Sequence, residues 1–222
     1  MQTFCVIPAF NEEKNIGLVI SDVKPLVDRV VVVDDCSADN TYNIAKKSGV
    51  TVLNHIINRG QGAALKTGTE YCLNKGADII VHFDADGQFL SQDIERVAAP
   101  IKNGEAQVVF GSRFLNRDGN LKMPFLKKHF IMPLARAVNK IFFKINLTDP
   151  QSGFRAMSRE AAQRINWRQD RMAHCSEIMF QVKKNNLRVV EVPIQVIYHR
   201  FGQTFGDGFK ILKDLFLATL VN

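Results

Sequence analysis

Residues 79–88 read Ile-Ile-Val-His-Phe-Asp-Ala-Asp-Gly-Gln, an apolar run that stops at a pair of aspartates. The β-branched residues that open the run predict a buried strand. Asp84 and Asp86 are two residues apart, and at a strand end this spacing directs both carboxylates to the same side. Carboxylate oxygens suit hard cations such as Mg²⁺, which often hold a diphosphate at the same time. The stretch therefore predicts a metal–diphosphate site, with a solvated turn before a helix as the alternative.

The sequence around this strand alternates between strand-like and helix-like segments. Such alternation predicts one α/β domain with a parallel sheet and helices on both of its faces. The predicted strands cover residues 3–9, 29–33, 50–53, 79–83, 108–110 and 189–198. The predicted helices cover 12–23, a segment from Ser37 or Asp39 to 47, one from Gly60 to 73 and one from Ser91 to 104.

Three polar clusters each follow a predicted strand: Pro8–Glu12, Asp34-Asp35 and Asp84–Gln88. Ligands of parallel α/β sheets bind at the carboxyl ends of the strands, so we expect the clusters to meet at one edge. The first strand is not followed by a Gly-x-Gly-x-x-Gly fingerprint, and the chain has no Gly-Lys-Ser/Thr phosphate loop. These absences argue against a dinucleotide-dependent oxidoreductase and against a P-loop hydrolase.

Six short blocks along the chain carry most of the functional signal. They are Val-Ile-Pro-Ala-Phe-Asn-Glu-Glu at 6–13, Val-Val-Asp-Asp-Cys-Ser at 32–37, Asn-Arg-Gly-Gln-Gly at 58–62, Asp-Ala-Asp-Gly-Gln at 84–88, Gly-Ser-Arg-Phe at 111–114 and Asp-Pro-Gln-Ser-Gly-Phe-Arg at 149–155. In this order the blocks resemble those of the family 2 glycosyltransferases, which have the GT-A fold. The resemblance is closest to the dolichyl- or polyprenyl-phosphate sugar synthases, and it covers roughly residues 4–200.

The resemblance implies a mostly parallel, Rossmann-like sheet with helices on both faces and amphipathic interface helices. Residues 1–208 would form the transferase domain, including a basic amphipathic segment at 113–147, and residues 209–222 would form a C-terminal amphipathic helix. The implied activity is inverting, metal-dependent transfer of a sugar from a GDP- or UDP-sugar to a polyprenyl or dolichyl phosphate. The alternatives are a family 2 enzyme with a polysaccharide acceptor and a non-enzymatic sugar-nucleotide binding protein.

The resemblance also assigns roles to individual residues. The nucleotide sugar would contact Pro8, Ala9, Phe10, Asn11, Glu12, Asp34, Asp35, Gly62, Asp84, Ala85 and Arg200. Mg²⁺ or Mn²⁺ would be held by Asp84, Asp86 and Gln88, and the acceptor phosphate by Ser112, Arg113, Lys127 and Lys128. Asp86 and Arg113 would be catalytic, because they serve the leaving diphosphate and the attacking phosphate.

Two places depart from the family pattern. Gln61 stands where relatives usually have a lysine, which removes one cation from the glycine-rich block. Lys127 and Lys128 stand where relatives often have arginine, and Ile131 lies near the place of a serine. We therefore expect the phosphate contacts at both places to differ in detail.

The net charge of +7 at pH 7 is concentrated in one segment. Residues 113–144 contain eight basic residues and one acidic residue, which accounts for the whole excess. From Leu134 onward apolar residues recur every three to four positions, as in an amphipathic helix that binds an anionic membrane surface. A helix that packs on the sheet and leaves its lysines in water is the alternative. Nucleic acid is not an expected partner, because an acidic sheet edge repels phosphate unless a metal is bound.

The remaining signals concern location and isolated residues. The apolar run 215–221 is shorter than the about 20 residues that span a bilayer. No signal-peptide pattern opens the chain, so we expect a cytoplasmic protein that is peripheral on the inner face of the membrane. His174 and Glu177 lie one helical turn apart and could pair, and His82 is predicted to be a satisfied core histidine. The four cysteines are predicted to be reduced, structural thiols.

Overall fold

Seven strands build one mixed sheet in the computed structural model, which describes residues 1–115 and 147–197. They are β1 (Thr3–Ala9), β2 (Arg29–Asp34), β3 (Thr51–Asn54), β4 (Ile79–His82), β5 (Val108–Ser112), β6 (Arg155–Ser158) and β7 (Val189–Pro193). Their order across the sheet is β3-β2-β1-β4-β6-β5-β7. Neighbouring strands are parallel except where β6 pairs with β4 and β5. The prediction of a mostly parallel sheet is confirmed.

Helices cover both faces of this sheet. They are α1 (Ile16–Val23), α2 (Thr41–Lys47), α3 (Gln61–Asn74), α4 (Asp93–Lys102), α5 (Arg159–Arg164) and α6 (His174–Lys184), with a 3-10 turn at Lys24–Leu26. Alternate residues of β1 enter two separate core clusters, Cys5 and Ile7 on one face and Phe4 and Val6 on the other. Residues of α1, α2 and α4 complete the first cluster, and residues of α3, α5 and α6 complete the second.

The position of β6 is the feature of the sheet that the strand–helix alternation did not predict. This strand runs antiparallel between β4 and β5, so that Arg155 at its start lies opposite His82 and Phe110. Because β6 begins where β4 ends, the residues just before it are brought to the carboxyl edge of β4. The block at 149–155 therefore joins the edge that carries Asp84.

Two predicted boundaries differ from the structure by four or more residues. The helix predicted from Glu12 begins at Ile16, and the backbone N–H of Glu12 donates to Thr41 Oγ1 at 2.7 Å. The strand predicted over 189–198 ends at Pro193, and Val196 forms a single antiparallel bridge with Phe89. In both cases a contact with a distant part of the chain lies near the predicted boundary: Thr41 at the start of α2 for Glu12, and Phe89 for Val196.

Several predictions concern residues outside the described ranges. These are Lys127, Lys128, Ile131, Arg200, most of the basic segment 113–147 and the helix at 209–222. Within residues 1–115 and 147–197, no helix has the length and apolar character needed to cross a bilayer.

Candidate active site

The loops that follow β1 and β2 are bound to each other through side chains. The backbone N–H of Asn11 donates to Ser37 Oγ at 2.9 Å, and Asn11 Oδ1 accepts from the backbone N–H of Ala38 at 2.9 Å. Asn11 has a φ of 56°, in the left-handed region that asparagine tolerates better than most residues. These contacts fix the loop that was predicted to hold the nucleotide sugar.

The predicted contact residues of this first loop differ in exposure. Pro8 and Ala9 are buried at the end of β1, whereas Phe10 is 48% exposed. Glu12 is partly buried, which raises the pKa of its carboxyl group, and the nearby charge of Asp86 raises it further. Glu12 therefore lies on the same acidic edge as Asp86.

The two aspartates at the end of β2, Asp34 and Asp35, are buried and make hydrogen bonds within the chain. Asp34 accepts two hydrogen bonds from the serine three residues later. Asp35 Oδ1 lies 2.7 Å from His55 Nδ1 and accepts from the backbone N–H of Arg59 at 3.0 Å. Asp35 Oδ2 accepts from the backbone N–H of Gly60 at 2.6 Å. Asp35 thereby holds the loop that leads into α3.

Two glycines at the start of α3 allow it to touch the segment that precedes α6. A Cβ on Gly62 would lie 2.3 Å from the carbonyl oxygen of Gln169, and one on Gly60 would lie 2.6 Å from that of Asp170. Trp167 Nε1 also donates to the carbonyl oxygen of Gly62 at 2.9 Å. In this structure Gly62 serves close backbone packing.

Asp84 is partly buried just beyond the end of β4 and is held from two sides. Gln61 Nε2 donates to Asp84 Oδ1 at 2.8 Å. On the other side a Cβ on Gly153 would lie 2.5 Å from Asp84 Oδ2, so a glycine is needed to leave room for the carboxylate. Burial and the charge of Asp86 together raise the pKa of Asp84 to about 7, against the lowering effect of Arg155. Two neighbouring carboxylates that repel each other in this way form a suitable site for a cation.

The turn after Asp84 is braced by its own backbone. Asp86 Oδ1 accepts from the backbone N–H of Gln88 at 3.0 Å, and Gly87 between them has a φ of 71°. The carbonyl oxygen of Gln88 in turn accepts from the backbone N–H of Ile197 at 2.8 Å. Ala85 is buried between the two aspartates. The turn thus keeps Asp86 beside Asp84 at the sheet edge.

A buried arginine to which the sequence pattern assigned no role lies close enough to Asp84 to lower the pKa of its carboxyl group. Arg155 is fully buried, and its Nη2 donates to His174 Nε2 at 3.3 Å and to Cys175 Sγ at 3.4 Å. His174 Nδ1 lies 2.8 Å from the carbonyl oxygen of Arg171, so Nδ1 carries the proton and Nε2 is the acceptor. Burial alone would raise the pKa of Cys175, but the neighbouring charge of Arg155 outweighs burial and the pKa is lowered to about 6. The available signal was the place of Arg155 at the end of the 149–155 block.

Two predictions about single residues need correction. His174 and Glu177 do not pair, because Glu177 Oε2 accepts backbone N–H groups of residues 168–169 at 2.8 Å. His82 is a core histidine, and its Nε2 lies 2.9 Å from Thr69 Oγ1. Its Nδ1, however, has no hydrogen-bond partner in the part of the chain that the structure describes, and burial holds the pKa of His82 well below its usual range. His82 is therefore only half satisfied.

Two residues predicted to hold the acceptor phosphate have partners within the chain. Nε and Nη2 of Arg113 donate to the two carboxylate oxygens of Asp149 at 2.6 and 2.8 Å. The backbone N–H of Asp149 donates to Glu191 Oε1 at 2.9 Å, which holds the backbone from which this carboxylate extends. Ser112 is fully buried, and its hydroxyl lies 2.6 Å from Thr148 Oγ1. Asp149 thus determines the direction in which Arg113 points.

Comparison with known proteins agrees with this arrangement. The family described as "Glycosyl transferase family 2" matches residues 4–165, a range that includes Asp34, Asp35, Asp84 and Asp86. The chain belongs to this family. The UDP-N-acetylglucosamine–dolichyl-phosphate N-acetylglucosaminyltransferase of Methanococcus voltae is 36% identical to it, over 98% of this chain and 96% of that protein. The polyprenol monophosphomannose synthase of Mycolicibacterium smegmatis is 26% identical, over 97% of this chain and 84% of that protein.

A solved structure has the same fold as this family 2 glycosyltransferase. Glucosyl-3-phosphoglycerate synthase of Mycobacterium tuberculosis, solved in complex with Mn²⁺, UDP-glucose and phosphoglyceric acid, aligns with a TM-score of 0.75 and 22% identity. The alignment covers 96% of this chain and 78% of that one. The predicted GT-A fold is confirmed, and family membership confirms the prediction of a glycosyltransferase.

The donor set of the transferase fits a divalent cation that the substrate helps to hold. Within residues 1–115 and 147–197, no cluster of three or more His, Cys, Asp and Glu residues could enclose a metal ion. Mg²⁺ is usually bound through one or two carboxylates together with substrate phosphates and several waters. Asp84 and Asp86 supply such carboxylates at one sheet edge, so the residues fit Mg²⁺ or Mn²⁺ bound together with a diphosphate.

Proposed function

We propose that this transferase moves a sugar from a UDP- or GDP-sugar to a polyprenyl or dolichyl phosphate, with inversion and with a divalent cation. The observation that carries the proposal is the Asp84–Asp86 pair, whose unbalanced charge lies at the sheet edge that also carries the loops after β1 and β2. The acceptor is supported by the relatives of M. voltae and M. smegmatis, which are named for dolichyl-phosphate and polyprenol chemistry.

The nucleoside would lie across the loops that follow β1 and β2. Phe10 offers a half-exposed ring on which a base could stack, and Pro8, Ala9 and Ala85 would form the floor beneath the nucleotide. A carboxylate can accept about four hydrogen bonds. Asp34 accepts two from its own chain and Asp35 three, so Asp34 has more capacity left for the ribose or base.

The diphosphate would lie beside Asp84 and Asp86. A cation held there by Asp84, Asp86 and Gln88 supplies, when bound, electrostatic stabilisation of the charge on the leaving diphosphate. The M. tuberculosis synthase has been solved with UDP and either Mn²⁺ or Mg²⁺, which supports the choice of metals. Arg200, which lies outside the described residues, is proposed as a further diphosphate contact.

The acceptor phosphate would approach from the side of β5. One of its oxygens attacks the anomeric carbon, and the bond from that carbon to the diphosphate oxygen breaks on the opposite face. The phosphate is already anionic near neutral pH, so the step does not need a strong general base. The residues proposed to orient the phosphate are Ser112, Arg113, Lys127 and Lys128. Asp149 holds the Arg113 guanidinium and so sets the direction from which it would contact the phosphate.

We further infer that the reaction takes place at an anionic membrane surface, with the protein bound peripherally on the cytoplasmic face. The positive excess of residues 113–144 supports this location, since each basic residue near such a surface contributes about 1 kcal/mol. We assign residues 1–208 to the transferase domain and residues 209–222 to a second contact with the membrane.

The proposal can be tested with the complete chain and a panel of sugar nucleotides. UDP- and GDP-sugars are offered in turn with Mg²⁺ or Mn²⁺ and with polyprenyl phosphate in phosphatidylglycerol vesicles, and the lipid product is identified by mass. We expect one sugar nucleotide to give a sugar-phosphate lipid, and a chelator to stop the reaction. The protein should also sediment with phosphatidylglycerol vesicles far more than with phosphatidylcholine vesicles. Transfer to a polysaccharide instead, or tight binding of sugar nucleotides without turnover, would contradict the proposal.

A further inference from the structure

Gln61 makes a direct contact with the acidic pair. Its Nε2 donates to Asp84 Oδ1 at 2.8 Å, although the two residues are 23 positions apart in the sequence. From the sequence, the loss of a lysine at this position meant only that one cation was missing. The structure shows that the side chain at position 61 reaches the first carboxylate of the Asp84–Asp86 pair.

The backbone around Gln61 is fixed on both sides. The N–H of Gly60 donates to the buried carboxylate of Asp35 at 2.6 Å. The carbonyl oxygen of Gly62 accepts from Trp167 Nε1 at 2.9 Å, and the backbone of Gln169 lies too close to Gly62 to admit a side chain. A side chain that starts from such a fixed position can hold its hydrogen-bond partner in one orientation.

We propose that Gln61 is a positioning residue that orients Asp84 toward the divalent cation. Its amide holds Oδ1, and the close packing of the carboxylate against Gly153 restricts its orientation further. Groups that hydrogen-bond to a metal ligand set its orientation, and their loss typically weakens metal binding or activity about 10–100-fold. This inference rests on the proposed function, because it assumes that Asp84 binds the cation.

The absence of charge on the Gln61 amide matters as much as its hydrogen bond to Asp84. A lysine ammonium at the same place would pair with the Asp84 carboxylate and compete with the incoming cation. Glutamine donates a hydrogen bond without placing a further positive charge beside the carboxylate. Position 61 would thus determine how strongly Asp84 attracts the cation.

The test compares two variants at position 61 with a control on the same helix. Gln61→Ala removes the donor, Gln61→Lys replaces it with a cation, and Glu70→Gln changes an exposed charge elsewhere on α3. Free Mn²⁺ is followed by electron paramagnetic resonance during titration of each protein in the presence of UDP or GDP. Circular dichroism and thermal unfolding confirm that each variant is folded.

We expect the dissociation constant for Mn²⁺ to rise about tenfold in Gln61→Ala and at least as much in Gln61→Lys. Glu70→Gln should bind Mn²⁺ like the wild type. If Gln61→Ala also binds like the wild type, the inference is wrong while the metal site stands. Tighter Mn²⁺ binding by Gln61→Lys would overturn it as well, since position 61 would then act through the diphosphate. If the wild type itself binds no Mn²⁺ with either nucleotide, the metal-dependent part of the proposed function fails, and the inference fails with it.

Discussion

Asp35 and Asp84 both lie just beyond the end of a strand in the same sheet, and the fold surrounds them in opposite ways. Asp35 is 3% exposed and has His55 and two backbone N–H groups around its carboxylate. Asp84 accepts a hydrogen bond from Gln61, lies near the like charge of Asp86, and has its pKa raised to about 7 by burial and by that charge.

The difference distinguishes a carboxylate that holds the fold from one that is kept for a ligand. Hydrogen bonds from its own chain satisfy Asp35, and in return Asp35 fixes the loop before α3. The charge of Asp84 is not balanced in this way, which costs stability in the free protein and favours a bound cation. Substitutions at these aspartates should therefore separate stability from activity.

The largest expected effect belongs to Asp86→Asn, which keeps the shape of the side chain and removes a charge from the acidic pair. We expect turnover to fall at least about 100-fold if stabilisation of the leaving diphosphate dominates catalysis. Sugar transfer to polyprenyl phosphate measures the loss, and thermal unfolding should shift by no more than about 3 °C. Near-normal turnover in this variant, with full activity in chelator, would remove the metal from the mechanism.

The second effect concerns stability and compares Asp35→Asn with Asp84→Asn. In Asp35→Asn, an amide NH₂ group would face one of the donors that now surround the carboxylate, so we expect a loss of about 2 kcal/mol. In Asp84→Asn the Oδ1 acceptor for Gln61 remains and a repelled charge is removed. This variant should be as stable as the wild type, or more stable by up to about 1 kcal/mol near pH 7.

Urea denaturation of both variants measures these differences. The comparison between the two aspartates would break down if Asp84→Asn lost as much stability as Asp35→Asn. The Asp84 carboxylate would then be structural as well, and its raised pKa would not mark a ligand site.

The smallest effect is the pH dependence of the stability that Asp84 contributes. The pKa of Asp84 is raised from its ordinary 3.8 to about 7 in the folded chain, so the folded state binds this proton more tightly than the unfolded state. Stability is therefore lost as pH rises between these two values. Wild type and Asp84→Asn should be similar near pH 4.5, and the wild type should become less stable by about 1 kcal/mol by pH 7.5.

The control for this prediction is the bound state. Adding Mn²⁺ together with a nucleoside diphosphate should stabilise the wild type and not Asp84→Asn, because binding to the folded state alone raises its stability. A difference between the two proteins that stays constant from pH 4.5 to 7.5 would show that Asp84 does not titrate in this range.

Much of the fold was predictable because it is encoded locally. The apolar runs of β1, β2 and β4 fill the centre of the sheet, and each run ends in polar residues at the same edge. The antiparallel placement of β6 was not predictable, since strand order depends on pairing between segments far apart in the chain. The first helix was predicted one turn too early, and the contact from the N–H of Glu12 to Thr41 on another element was not predictable.

The candidate site also has a part that the sequence predicted and a part that it did not. The Asp84–Asp86 spacing predicted the acidic pair, since residues two apart at a strand end share a side. The hydrogen-bond partners of the site residues could not be predicted. They are Gln61 for Asp84, Asp149 for Arg113, and His174 for the buried Arg155. Each of these contacts joins distant segments, and none leaves a periodic trace in the sequence.

The sequence by itself determined the α/β class, the family and the residue types at the carboxyl edge, because strand and helix periodicity and short blocks are local properties. The tertiary structure decided which of the edge carboxylates is satisfied and which is not. That outcome depends on burial and on donors brought from elsewhere, such as the N–H of Gly60 for Asp35 and the charge of Arg155 near Asp84. Two aspartates that look equivalent in the sequence therefore differ in charge balance, and the difference exists only once the chain is folded.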